Sequence, residues 1–150
     1  MIYVGYQGIG KSTVCKKYDN CIDLESIHFY INDERSPDWY KIYVNLAIDL
    51  NNQGNDVFIS SHKCVRSMLH ELEVPFIVIC PALELEKQWI LKLTQRFEET
   101  RCVKDYRAVC GARTQYTENI KDLLTEEKVI IIDDTDYDLS KLIKLNKKKH

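Results

Sequence analysis

Apolar and polar positions along the chain alternate between short β-favouring runs and longer stretches of helical period. The β-favouring runs fall at 1–4, 21–24, 56–60, 75–80 and 129–132. Residues 57–59, 76–80 and 129–132 are continuously apolar, as strands covered on both faces are. Trp39, Ile42, Tyr43, Leu46 and Leu50 recur at helical spacing, after a start signal in Ser36-Pro37-Asp38 and before a stop at Gly54. Leu85, Trp89, Leu93 and Phe97 fall every fourth position and predict a buried helical stripe over about 83–99. A further helix is predicted over 62–72, capped by Ser61, and another around Tyr116, Ile120, Leu123 and Leu124. Strands alternating with helices predict a three-layer α/β/α architecture around a five-stranded parallel sheet.

Within that alternation, the stretch 100–114 has weak periodicity, three arginines (Arg101, Arg107, Arg113) and Gly111. It is expected to form a lid-like excursion from what otherwise reads as one domain over 1–150. Only 5 Gly and 3 Pro occur in the chain, which argues against a long linker or disordered arm.

Composition narrows the function classes. With 150 residues, 45% of them hydrophobic, the chain is of the size that builds a single core. A net charge of −2 gives no broad basic field for nucleic acid. Contact with nucleic acid is left to the lysines of the tail (Lys141, Lys144, Lys147, Lys148, Lys149) and reads as a minor alternative to a solvated helix end. Six cysteines (Cys15, Cys21, Cys64, Cys80, Cys102, Cys110) contain no CxxC pair, so they read as free thiols in a reducing compartment. No apolar run reaches the roughly 18 residues that span a bilayer, and no basic-then-apolar leader opens the sequence. The expectation is a cytoplasmic protein without membrane attachment, a monomer or homodimer.

One segment carries specific chemistry. Gly5-Tyr6-Gln7-Gly8-Ile9-Gly10-Lys11-Ser12 fits G-x-x-x-x-G-K-[ST] at every specified position, directly after a predicted strand and at the start of a helical stretch. Glycines let successive N–H groups converge on one anion, and the helix begun at Lys11 adds its positive end. Lys11 would reach the β- and γ-phosphates, and Ser12 would offer its hydroxyl to Mg²⁺. Gly5, Gly8, Ile9, Gly10, Lys11, Ser12 and Thr13 are therefore the expected nucleotide-binding set, with ATP and Mg²⁺ as cofactors. Neither the D-x-x-G nor the N-K-x-D motif of a GTPase occurs. The chain is also short for a ring-forming ATPase.

With this loop, and with β-runs and helices in this order, the sequence resembles the small P-loop kinases of the nucleoside monophosphate kinase superfamily, adenylate kinase-like and shikimate kinase-like. The resemblance covers most of the chain in element order, and its specific motif is Gly5 to Ser12. The segment Ile59-Ser60-Ser61-His62-Lys63-x-x-Arg66, with the run 75–81 and Lys87 to Arg96, is similar to small phage-type nucleotide kinases. The resemblance implies Mg²⁺-dependent transfer of the ATP γ-phosphoryl group to a small acceptor, first a nucleoside or deoxynucleoside monophosphate. It also implies a substrate-binding segment after the second strand and an arginine-bearing lid after the fourth.

Other residues take roles from position and charge. Asp23 and Glu25 close the second run, at the edge of an open α/β sheet where ligands bind. A carboxylate there can hold Mg²⁺ through water, orient an acceptor or take its proton. The third run ends Ile59-Ser60-Ser61-His62, without the aspartate that many P-loop enzymes place there for the metal. Either Asp23 shares the metal with Ser12, as the resemblance to shikimate kinase-like members implies, or activity is weak or absent. His62 and Arg66, an i, i+4 pair, and Glu25 are expected to address the acceptor. Arg107, then Arg96, Arg113 and Arg101, are the candidates to meet the charge that develops on the transferred group. Tyr3, Tyr18, Trp39, Tyr43, Trp89 and Phe97 read as core, and Tyr6 as a loop residue that flanks a nucleotide. A polynucleotide 5′-kinase, a nucleotide-binding module and an NTPase without a small acceptor are the competing readings.

Overall fold

The computed structural model describes residues 1–30 and 34–148, and of 144–148 the backbone only. Five strands form one parallel sheet: β1 (Ile2–Gly5), β2 (Cys21–Asp23), β3 (Asp56–Ser60), β4 (Phe76–Pro81) and β5 (Val129–Ile132). Their order across the sheet is β2-β3-β1-β4-β5, with β1 in the centre. The helices are α1 (Lys11–Lys17), α2 (Trp39–Asn52), α3 (Lys63–Glu71), α4 (Glu86–Thr100), α5 (Val103–Leu123) and α6 (Leu139–Lys148). This is the expected α/β class with all five strands in the expected places. The tail lysines Lys144, Lys147, Lys148 and Lys149 lie outside the described side chains.

Contacts within the chain cluster into two compact units. The first comprises residues 1–5 and 11–78. In it β1 pairs with β3 from Ile2↔Val57 to Gly5↔Ser60, and β2 pairs with β3 from Cys21↔Asp56 to Asp23↔Phe58. Tyr3, Val4, Val57, Phe58 and Ile59 are wholly buried. Helix α2 buries Trp39, Tyr43, Val44 and Ala47, and leaves Ile42 and Leu46 exposed. The buried face is therefore turned from the one expected through Ile42 and Leu46. The helix is apolar on several sides, and alanine and valine suit the close approach to the strands.

The second unit comprises residues 6–10 and 79–150. Here Ile79 and Cys80 are fully buried, α4 buries Trp89 and Leu93, and the Ala82 amide donates to the Ile132 carbonyl at 2.8 Å. From Val103 onward, residues 100–114 form the first half of a 21-residue helix packed along α4. The buried stripe of α5 is Asp105, Val109, Ala112, Tyr116, Ile120 and Leu123, at steps of three and four. Its first half carries an acid and a small residue where a stripe usually carries large apolar ones, so the period is hidden in the sequence. Two helix starts also differ from expectation. His62, not Ser61, precedes α3, and neither α2 nor α3 has a side-chain cap hydrogen bond.

Candidate phosphate-binding site

The loop leaves β1 at Gly5 and enters α1 at Lys11. Gly8 and Gly10 adopt left-handed backbone, with φ of +87° and +97°. Residues 6–10 are fixed by side chains of the second unit. The Trp89 indole N–H donates to the Gln7 carbonyl at 2.9 Å, and the Tyr137 hydroxyl donates to the Ile9 carbonyl at 2.7 Å. In a planar trans peptide the carbonyl of one residue and the N–H of the next point in opposite directions. Holding the carbonyls of Gln7 and Ile9 therefore aims the N–H groups of Gly8 and Gly10 the other way. Backbone amides exposed at left-handed turns are the kind of donor from which anion-binding concavities are built.

The glycines serve different ends. A Cβ on Gly8 would stand 2.7 Å from Leu93 Cδ2 and 3.2 Å from Trp89 Nε1, so α4 packs where that side chain would be. A Cβ on Gly10 would meet nothing within 4 Å. Gly10 is thus required for its backbone, and it faces open space that a phosphate can occupy.

Trp89 and Tyr137 support each other. Their rings stack at 6.3 Å with 15° between planes, and Lys92 Nζ lies 4.2 Å from the Trp89 ring centre while donating to the Tyr137 hydroxyl at 3.1 Å. Burial pushes the Tyr137 hydroxyl up, which keeps it a donor to Ile9. Neither residue was expected in the site. A donor-bearing aromatic on a buried helical face gives no signal in sequence that its polar atom serves a loop. Tyr6, expected beside a nucleotide, is instead core: it is 2% exposed and meets Tyr116 edge-on at 5.7 Å.

The first unit places Lys11 and Ser12, both half-buried, in the opening turn of α1, and Thr13 exposed beside them. Asp23 ends β2, and Glu25 follows one residue beyond Leu24. Their backbone is held by Tyr43 of α2. Its hydroxyl donates to the Leu24 carbonyl at 2.6 Å and accepts from the Ser60 amide at 2.8 Å, tying the ends of β2 and β3 together. Burial pushes this hydroxyl up, and the nearby Asp23 and Glu25 add to the effect, so Tyr43 stays a donor. The end of β3 carries no acid. Ser60 Oγ instead lies 2.8 Å from His62 Nδ1.

His62 stands edge-on to Trp39 at 5.1 Å. Crowding by surrounding protein, then the charges of Arg35 and Lys11, push it down to about 4, although part of the residue faces solvent. His62 is therefore neutral at physiological pH, a hydrogen-bonding group without charge. The expected partner Arg66 is 6% exposed, with Nε donating to the Ser61 carbonyl at 3.2 Å. Arg35, unassigned from sequence, lies over Trp39 at 4.0 Å and over Tyr30 at 4.4 Å. A basic residue flanked by two aromatics in the segment after the second strand was the signal available for it. Lys11, His62 and Arg35 thus form one electrostatic neighbourhood in the first unit.

In the second unit Arg96 pairs with Asp105, with Nε 3.3 Å from the carboxylate. Burial alone would push Asp105 up. Hydrogen bonds from Thr100 and Cys102, with Arg96 and Lys104 nearby, outweigh it and hold the carboxyl below its usual range. Arg107 is exposed on α5. Among the described residues no three His, Cys, Asp or Glu gather to hold a metal ion, and no helix is long and apolar enough to cross a membrane. No protein-family model matches the chain, and no curated protein matches its sequence.

Proposed function

We propose that the chain binds Mg·ATP on the loop 5–12 and transfers the γ-phosphoryl group to a small acceptor, first a nucleoside or deoxynucleoside monophosphate. The observation that carries this reading is the loop itself. Its carbonyls at Gln7 and Ile9 are held by Trp89 and Tyr137, Gly10 opens on free space, and Lys11 follows directly. Such an array binds phosphate oxygens through backbone amides, and Lys11 adds the charge that meets the transferred group. Helix α1 has only 7 residues, so its dipole is the smaller contribution.

Ser12 and Asp23 are the residues that would hold Mg²⁺. Magnesium is commonly held by one or two protein oxygens together with phosphate oxygens and water, so the donor set fits. The ion would neutralise charge as it builds on the transferred group. Glu25 and Arg35 would address the acceptor, with neutral His62 as a hydrogen-bonding partner. The Trp39 and Tyr30 faces that hold Arg35 limit its rotamers, which favours a fixed cation over a mobile one. Arg107, exposed as Arg101 and Arg113 also are, is the arginine proposed to meet the reacting phosphates.

A second reading, nucleotide binding or hydrolysis without a small acceptor, is favoured by the end of β3, where Ser60 and His62 bond to each other in place of an acid. ADP release from Mg·ATP separates the two, measured with a panel of monophosphates, nucleosides and 5′-hydroxyl oligonucleotides, with Lys11→Ala as control. Stimulation by one monophosphate, lost in the variant, supports the kinase. Stimulation by oligonucleotide ends alone identifies a polynucleotide kinase, and binding without stimulation leaves the second reading.

A further inference from the structure

We propose that Cys15 and Cys21 are a modification site, closing into a reversible intrachain disulfide that ties α1 to β2. The two sulfur atoms lie 2.9 Å apart, closer than unbonded sulfurs pack. A disulfide closes at about 2.05 Å, so roughly 1 Å of approach completes the bond. Both residues are half-buried, within reach of a small oxidant. The turn between them is closed by the Cys21 amide donating to the Tyr18 carbonyl at 3.2 Å.

The placement of this pair follows from two periodicities. Lys11 and Cys15 are four residues apart and share a face of α1. Cys21 and Asp23 are two apart and share a face of β2. The thiol contact therefore lies one helical turn behind the lysine and two residues behind the aspartate. Both charges act on the Cys15 thiol. Drawing the sulfurs together shifts α1 on β2 and carries Lys11 with it, which alters phosphate binding if the loop binds nucleotide as proposed above.

With hydrogen peroxide the chemistry balances. One thiol loses its proton and its sulfur attacks a peroxide oxygen. The O–O bond breaks, and a sulfenic acid and one water form. The second sulfur displaces the sulfenic oxygen, which leaves as a second water, and the S–S bond forms. Two electrons pass from the thiols to the peroxide, and dithiothreitol reverses the bond as its own thiols are oxidised. Burial, then the neighbouring Cys21, push the Cys15 thiol up, so the reaction is slow at neutral pH and quickens in alkali.

The test is peptide mapping of the full chain after peroxide treatment at mildly alkaline pH, with remaining thiols alkylated and no reductant present. Lys16 and Lys17 lie between the two cysteines, so trypsin separates them unless the bond holds their peptides together. The expected result is that Cys15–Cys21 is the main disulfide, reversed by dithiothreitol and absent from Cys15→Ser and Cys21→Ser. Disulfides chiefly among Cys64, Cys80, Cys102 and Cys110, or overoxidation of Cys15 and Cys21 without a bond, overturn the proposal. Mapping the wild-type chain requires no variant to fold and no nucleotide to bind. ATP affinity is then compared between reduced and oxidised chains, with a difference of roughly fivefold or more expected. Equal affinity overturns the coupling. Failure of the reduced chain to bind ATP counts against the nucleotide reading and leaves the disulfide standing.

Discussion

The Trp89 indole donates to the Gln7 carbonyl at 2.9 Å, so a buried side chain of α4 sets the orientation of the peptide that leads into Gly8. Trp89→Phe keeps an aromatic ring, removes this donor and leaves part of the volume of the fully buried indole unfilled. The Gln7 carbonyl then lacks its partner, at a cost of about 1 kcal/mol. Thermal melting is expected to show Tm lower by at least about 2–4 °C, the cavity adding to the lost hydrogen bond. If the Gly8 amide serves the phosphates, ATP affinity measured by calorimetry falls as well. Unchanged affinity with lowered Tm would confine Trp89 to stability.

Gly8 and Gly10 separate packing from ligand space. Gly8→Ala places a Cβ against Leu93 and Trp89 in a strained backbone, so stability falls by about 1–3 kcal/mol from the φ requirement, with the clash in addition. Gly10→Ala carries the φ strain with no clash, and its Cβ enters the space assigned to phosphate. The expected pattern is a lower Tm for the Gly8 variant and weaker ATP binding, relative to its Tm, for the Gly10 variant. Equal losses of binding at equal Tm would mean that the space beside Gly10 does not hold the ligand.

How much was legible in sequence follows from which signals are local. The five strands and the loop 5–12 are, because continuous apolar runs and a glycine-lysine motif need no knowledge of distant neighbours. The face of α2 was not: Ile42 and Leu46 satisfy the helical period as well as Val44 and Ala47, and only the sheet selects between them. The first half of α5 was hidden because Asp105 is buried through its bonds to Thr100, Cys102 and Arg96. The supports of the site were hidden for a similar reason. Tyr43, Trp89 and Tyr137 look like ordinary core or surface aromatics until their polar atoms are seen on the carbonyls of Leu24, Gln7 and Ile9.

His62 yields a pH prediction. Its folded value of about 4 lies below the ordinary 6.5, first through desolvation and then through Arg35 and Lys11. As pH falls below 6.5 the unfolded chain takes up the proton before the folded one. This residue's contribution to stability is therefore complete above about 6.5, declines as pH falls, and levels off below about 4. Ring-proton NMR is expected to show the His62 resonance titrating near 4, and Arg35→Met is expected to move the midpoint upward by part of the shift. A midpoint near 6.5 in the wild-type chain would contradict the neutral hydrogen-bonding role assigned to His62.

Arg96 and Arg107 differ in exposure. Arg96 is partnered with Asp105, whose side chain is 7% exposed, while Arg107 stands exposed on the same helical pair. Arg96→Gln leaves that carboxylate with Thr100 and Cys102, so stability falls by about 1 kcal/mol, the upper end for a pair with one exposed member. The loss should shrink in acid. The carboxyl is held below its usual range, so its contribution is present above the unfolded carboxylate value and disappears as pH falls through the lower folded one. Under the kinase reading, Arg107→Gln is expected to reduce acceptor-stimulated ADP release at least tenfold, as loss of about 1.4 kcal/mol of transition-state stabilisation does. Melting curves at neutral and acidic pH, together with kcat and KM for each variant, distinguish the two arginines. A fall in kcat for Arg96→Gln with Arg107→Gln unaffected would reverse the assignment.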